Sequence, residues 1–561
     1  MNRARIQSVW CPILAVWFSA AATASLAQCR FPADATGRVL TYTFDPTVTP
    51  AGTILHVTLK FQGGPDGLDA VEVPSQWAGE TLRGVINLRA LSGETAVADT
   101  GSSGKKTVRH PPNREVILAY DMVKDWTGPF RHPAEFHGAL MPEYLEINGQ
   151  NALVHPDLAP QTAVTVHFDW QKLPAAWVLA TSFGTSAGGT TANNVDRCQS
   201  YSGAWSAVEE ALFTAGDFRI RRFQIGARPA VLVVRGKWTF PDDEVVSGIP
   251  KAVGIVRDFW HDDNFPYFLV TLKAFDNDRG NEDGSAFTNA FWLYLSRQDT
   301  FSAQLPTLVH EAFHAWNPRR MGLLSEEDGK AIEWFREGFT LYYGYLLAYR
   351  AGLMQLLAYV ENTNRDLRDS PNSTNTYVRG RLIALWLDQR IRKDSGGKSS
   401  LDNVMFDMVS GAGKPLTEAR ILETAGRYLS PASRSQLAQA VEQGARIPAA
   451  EDALGSCVRG SMDEIVPFNL GFDFAASQEA HRVTGVIPNG PAFEAGLRDG
   501  QQMVGFSVYD NQPDKTAKIT VRTGATRQTI EYYPRGKPLA ILQYHLDQQA
   551  YTANPAGCQT L

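Results

Sequence analysis

From about Gly37 to Trp177 apolar residues recur at every second position in short runs. "GTILHVTLKF", "REVILAYDMV" and "TAVTVHFDW" are rich in β-branched and aromatic residues, and in the last Val164, Val166 and Phe168 alternate with Thr165, His167 and Asp169. Clusters of Gly, Pro, Asn and Asp separate these runs. The pattern predicts an antiparallel β-domain with one solvated face over residues 28–180. Its histidines (His56, His110, His132, His137, His155, His167) are too scattered in sequence to suggest a metal site. The small, polar stretch from Thr181 to Asn194 reads as a junction or a functional loop.

Beyond that stretch the period changes. "FRIRRFQIG", "PAVLVVRG", "YFLVTLKAF" and "AFWLYLS" read as strands, "DDEVVSGIPKAVGIVRDFWH" has the 3.6-residue period of a helix, and after Ser302 the chain reads as mainly helical to about Gly444. Strands followed by a helical half predict an α+β domain over 181–455. Short strand-like runs return from Asn469, with a Pro-Asn-Gly turn and a short helix at Ala492 to Ala495. They define a region 456–545, followed by a tail 546–561.

Composition narrows the class. A 561-residue chain with 44% hydrophobic and 20% charged residues has the make-up of a soluble, multidomain globular protein, and a net charge of -6 gives no basic footprint for nucleic acid. The first residues carry two arginines, an apolar run from about Val9 to Ala22 and small residues ending at Ala27, the layout of a secretory signal over 1–27. The apolar run is short for a membrane span, so the expectation is a periplasmic or secreted protein without a membrane anchor after cleavage. Removal of Cys11 with the signal leaves Cys29, Cys198, Cys457 and Cys558, which allow three pairings. Pairing Cys29 with Cys198 and Cys457 with Cys558 brackets one folded region each and is favoured over the others, the alternative being unpaired buried thiols.

The candidate chemistry lies in "LPTLVHEAFHAWNPRR", Leu305 to Arg320. Histidines four apart share one helix face, so His310 and His314 can reach the same ion. Pro306 suits a first helical turn, and Asn317-Pro318 gives a stop. Glu311, next to the first histidine, is placed to take a proton from an attacking water. A catalytic zinc site needs a third protein ligand. The next helical pattern, Ala331 to Gly352, offers Glu337, with Glu333 one turn earlier as a rival, and spacing alone does not choose between them.

"WFREGFTLYY" resembles the Trp-x-x-Glu-Gly-Phe segment of zinc peptidases whose third ligand is a glutamate on the helix after the motif, which points to Glu337. Together with "HEAFHAWNPRR" and "YVRGRLIALWLDQRIRKDSGGKSSLDNVM", it resembles the glycyl aminopeptidase family of gluzincin metallopeptidases. That resemblance implies a multidomain α+β chain: an N-terminal β-domain, a thermolysin-like zinc domain and a C-terminal PDZ-like domain. It implies Zn²⁺ on His310, His314 and Glu337, with Glu311 as base. It also implies that Tyr377, in Tyr-Val-Arg-Gly where relatives have Tyr-x-Lys-Gly, stabilises the oxyanion while Arg379 keeps the positive charge.

"NLGF" and "GVIPNGPAFEAGLRDGQQMVGF" resemble a PDZ domain, which implies a C-terminal peptide as a second partner beside the peptide or protein substrate. One segment departs from the family. Where relatives carry a glutamate that holds the substrate's amine, this chain has Ala286, Phe287, Thr288 and Asn289, and Glu282 or Asp283 would need a different loop path. The resemblance implies an exported zinc-dependent aminopeptidase favouring small N-terminal residues, and the departing segment leaves exo- against endopeptidase action open. The alternatives are a zinc endopeptidase with PDZ-presented substrates and a non-enzymatic peptide-binding protein.

Overall fold

The computed structural model describes residues 29–31, 37–101, 104–184, 197–277, 282–369, 375–445, 450–509, 512–524, 526–555 and 558. The expected signal segment and residues 185–194 of the polar loop lie outside them.

The N-terminal sheet has six strands in the order 198–204, 163–169, 38–49, 52–62, 115–122 and 85–90. Its pairings are antiparallel except one: Arg38–Thr49 runs parallel to Ala163–Asp169, Leu40 opposite Val166. The alternation in Ala163–Asp169 does not leave a solvated face. Thr165 and His167 are buried with their apolar neighbours, because Ser202 and Ser200 accept or donate hydrogen bonds to them and Phe31 stacks on the His167 ring at 4.3 Å. The Cys29–Cys198 disulfide fastens that covering segment, and Cys457–Cys558 is the second bridge.

The β-region extends past the expected boundary at residue 180. Strand Cys198–Ala204 joins the six-stranded sheet, Leu212–Gly216 pairs with Tyr144–Asn148, and Trp205, Val208, Phe213 and Ala215 sit in the N-terminal core. The chain leaves that core near Asp217. Long-range pairing, which local periodicity does not report, moves the boundary.

A five-stranded sheet follows, in the order 219–225, 228–235, 268–274, 290–295 and 282–287. The last of these, Glu282–Phe287, is an antiparallel edge strand. One sheet face packs on helices, including Asp242–Trp260 and Phe301–Phe313. The other meets the N-terminal region through Phe130, Tyr144, Leu212, Tyr267, Trp292 and Tyr294. Within this apolar interface Lys273 pairs with Glu146, and Tyr294 donates to the same carboxylate at 2.6 Å, with all three side chains buried.

The C-terminal expectations need correction. Strands Val458–Ile465 and Leu539–Leu546 pair with each other and place Val458, Ile541, Leu542 and Tyr544 in the helical domain's core. Asn364 completes the contact, donating to the Tyr544 carbonyl and accepting from its amide. Cys558 joins the same core, so the region after 546 is no detached tail. A separate small core, around Phe472, Val483, Leu497, Ile519 and Ile530, is carried between the two strands. Within it, the stretch after "NLGF" forms the helix Phe474–Glu479, capped by Asp473, where strand addition of a peptide would need an edge strand. The Gly471 amide is bonded to Asn469 Oδ1 instead of facing a ligand carboxylate. A C-terminal peptide partner is therefore not supported.

Among the described residues no helix is long and apolar enough to cross a membrane.

Candidate metal centre

Three helices build the site. The first, Phe301–Phe313, begins well before Pro306, which lies in its interior: Phe301 is buried against Phe240 and Gly248 and starts the helix one turn earlier than the proline suggests. His310 lies in its last turn and His314 is its C-cap. The second, Glu333–Arg350, carries Glu337. The third, Thr376–Asp394, carries Tyr377 just after the Asn375 cap, whose side chain accepts from the Tyr377 amide.

The crossing of the second and third helices depends on two glycines. A Cβ on Gly380 would stand 1.9 Å from the Trp334 carbonyl oxygen, and one on Gly338 would stand 2.2 Å from Gly380 Cα. Only backbones without side chains pack this closely. The contact sets Tyr377 beside Glu337, one residue before Gly338.

The structure brings His310, His314 and Glu337 together, with one donor atom from each lying within 4.8 Å of the others. His314 Nε2 is 3.4 Å and His310 Nε2 3.6 Å from Glu337 Oε2, and the two Nε2 atoms are 3.0 Å apart. His314 Nδ1 lies 2.9 Å from the Asn317 carbonyl, an acceptor only, so Nδ1 carries the proton and Nε2 offers its lone pair. Asn317 itself is buried, and its amide donates to the Phe335 and Arg336 carbonyls and Thr340 Oγ1, fixing the first helix end to the second helix. Two imidazoles and a carboxylate meeting at one point, with His314 oriented by the Asn317 carbonyl, fit a divalent cation such as zinc.

Electrostatics follow the packing. Burial raises the Glu337 carboxyl, but the charges and hydrogen bonds of His314 and His310 outweigh it and hold the group far below the usual carboxylate range. Burial pushes Glu311 up to about 7, with His310 and Arg319 opposing the shift and Glu337 adding to it. Glu311 Oε1 is 3.9 Å from His310 Nε2. Burial, then Glu337 and Glu311, raise the Tyr377 phenol, which therefore stays a proton donor across ordinary pH. Its ring lies parallel to His310 with centroids 6.4 Å apart.

Glu333 stands outside the ligand group and accepts from Thr376 Oγ1 at 3.0 Å. Arg379 turns away from the site and donates to the Ala440 carbonyl, so the expected positive charge is not delivered there. Glu282 is held by Gln304, whereas Asp283 faces the cavity of about 650 Å³ that Glu311, His314, Glu337 and Tyr377 line.

The scattered histidines hid one partner. His132 Nδ1 lies 2.6 Å from Glu135 Oε1 and 3.8 Å from Asp283 Oδ2, forming a second group of possible cation ligands. Glu135 Oε2 and Asp283 Oδ2 are buried without a hydrogen-bond donor among the described residues. Burial first, then contact with Glu135 and the charge of Glu311, push Asp283 up to about 8. Arg319 was also missed: it pairs with Glu210 at 2.8 Å and donates to the Ala286 carbonyl at 2.7 Å, tying the edge strand to the N-terminal region. His132 and Glu135 have the spacing His-x-x-Glu, but nothing in that spacing points to Asp283.

Residues 303–381 match the family model of the M61 glycyl aminopeptidases, the segment that holds all five site residues read from the sequence. No curated protein sequence matches the chain. Among solved structures, an aminopeptidase N family protein from Idiomarina loihiensis superposes with a TM-score of 0.69 at 16% identity, covering 93% of this chain and 99% of its own. An M1 zinc metallopeptidase from Deinococcus radiodurans gives 0.45 at 15% identity, covering 74% of this chain and 95% of its own. The chain thus has the fold of the first of these proteins over nearly its full length, and around its candidate metal centre a segment similar to M61 glycyl aminopeptidases.

Proposed function

We propose that the chain is an exported, zinc-dependent peptidase that removes single residues from free amino ends, favouring small ones. The observation that carries this reading is the meeting of His310, His314 and Glu337 beside a buried Glu311. The two disulfides fit an oxidising compartment. Zinc, when held by the three ligands, supplies Lewis acidity for the scissile carbonyl.

The residues of the chain do the rest. Glu311 accepts the proton of the attacking water and returns it to the leaving nitrogen, a task suited to a carboxyl near neutrality. Tyr377 donates its phenol hydrogen to the oxygen that gains negative charge. The Glu135–Asp283 pair, with one proton between the two carboxyls near neutral pH, supplies the negative charge that Ala286, Phe287, Thr288 and Asn289 do not, and a substrate ammonium would donate to it. Phe136 and Trp77 narrow that end of the cavity, which favours small first residues.

The test compares wild type with Glu311→Gln on one free and one N-acetylated peptide of the same sequence, with zinc counted in both proteins. The reading expects the free peptide alone to be trimmed by wild type, and Glu311→Gln to keep its zinc and lose about 10²–10⁴-fold in turnover. Equal activity in the variant would remove Glu311 from its role. Cleavage of the acetylated peptide by wild type would make the enzyme an endopeptidase.

A further inference from the structure

The cavity at the candidate metal centre borders a second space on its N-terminal side. A second cavity of about 390 Å³, lined by Glu72, Ser75, Lys105, His155 and Glu209 among others, adjoins it. Trp77 and Gln150 line both spaces. Two side chains thus separate the metal cavity from a polar channel over the β-domain.

Both are held in place. Trp77 belongs to a short hairpin, Gln76–Trp77 paired with Glu80–Thr81, whose turn at Ala78 and Gly79 has positive φ at both positions, as two-residue hairpins require. His137 anchors it through Glu80 at 3.5 Å and Asp125 at 3.0 Å. The indole packs edge-on against Phe136 and Trp292, with centroids 5.3 and 5.5 Å away, and tilts over Phe287 at 6.2 Å. Gln150 sits in the one-turn helix Gly149–Ala152, which starts from a capping box between buried Asn148 and Asn151. A Cβ on Gly149 would meet the Val208 carbonyl at 2.2 Å, so this helix is pressed against the later helix Trp205–Glu209.

We infer that Trp77 and Gln150 are specificity-determining residues: together they form a wall that stops a peptide from running past the metal centre and so limits cleavage to the first residue. This rests on the peptidase reading given above. Glu135 of the carboxyl pair precedes Phe136, whose ring packs on Trp77, and Asp283 lines the same cavity as Trp77 and Gln150. A chain with more residues before the scissile bond would have to pass through the indole. On the far side the second cavity has room for such residues, and its charged and hydroxyl groups suit a peptide backbone. The wall, more than the chemistry at the metal, then separates an aminopeptidase from an endopeptidase on this scaffold.

The experiment maps products by mass spectrometry from matched free and N-acetylated peptides, using wild type, Trp77→Ala, Trp77→Phe and Gln150→Ala, all zinc-loaded. Thermal melting reports folding. The inference expects wild type to release single residues and leave acetylated peptides intact. Trp77→Ala, and more weakly Gln150→Ala, should cut acetylated peptides or release di- and tripeptides at rates on the order of tenfold above wild type. Trp77→Phe keeps an aromatic ring in the wall and should still release only single residues, whatever its rate, so the product pattern and folding of this variant guard against a disrupted cluster. Folded alanine variants that still trim only single residues overturn the inference while leaving the peptidase reading intact. A wild type that cuts no peptide, or that cuts acetylated ones, overturns both.

Discussion

At the residue scale, function depends on how neighbours set the proton affinity of a few groups. Tyr377 is the clearest case. Although the residue as a whole is 41% exposed, its phenol is kept protonated by desolvation at the cavity and by the neighbouring Glu337 and Glu311 carboxylates. Tyr377→Phe should lower kcat by about 10²–10³-fold while zinc content and KM stay near wild type. A loss of zinc would instead make the ring a support for His310. Away from the metal, Glu209 shows the sign that burial imposes. Burial, then Glu210 and Glu72, push it up to about 6, so the folded state binds this proton more tightly than the unfolded chain. Its contribution is therefore greatest at low pH and is lost as pH rises from about 4.5 to 6. Glu209→Gln removes that loss and should be more stable than wild type above pH 6 by about 1 kcal/mol, reduced from the full linkage value because the group is partly exposed. Melting temperatures at either side of the window check it.

At the element scale, the motif helix, the glutamate helix and the tyrosine helix converge because glycines let two of them touch. Gly380→Ala forces its Cβ into the Trp334 carbonyl, and the helices must part. The expected cost is about 1–3 kcal/mol, with lower zinc occupancy because Glu337 moves with its helix. An unchanged melting temperature and full zinc would show that the crossing is softer than its geometry implies. Much at this scale was legible in the sequence. Helical spacing alone put His310 and His314 on one face, and the strands around Val57 and Leu118 follow their alternation. The misreadings have local causes. Phe301 outweighed Pro306 as a helix start, and "FAASQE" after a capping Asp473 is a good helical sequence that the PDZ resemblance concealed. Spacing left Glu333 and Glu337 open, the resemblance pointed to Glu337, and in the fold Thr376 donates to Glu333 while Glu337 lies beside both histidines.

At the scale of the whole molecule, the parts that sequence periodicity could not reach are those made by distant pairing. Glu135 and His132 come from the β-region and Asp283 from the edge strand of the next sheet, so no local window contains their cluster. The same interface buries Lys273 with Glu146. Burial lowers the lysine's pKa, and the carboxylate offsets part of this. Removing one partner leaves a buried, unpaired charge. Lys273→Met should therefore destabilise by about 3–5 kcal/mol, and the double variant Lys273→Met, Glu146→Leu should recover most of that loss. Denaturation of the two variants side by side decides it. If the double variant were as weak as the single one, the pair would contribute net attraction between the two regions.

The most direct test of the central claim is a mass-spectrometric product map of a mixed peptide library incubated with the zinc-loaded protein, run beside Glu311→Gln and a chelated sample. The account predicts loss of single N-terminal residues by wild type, absent from both controls. Products that persist in Glu311→Gln, or no cleavage by a protein holding one zinc per chain, would contradict it.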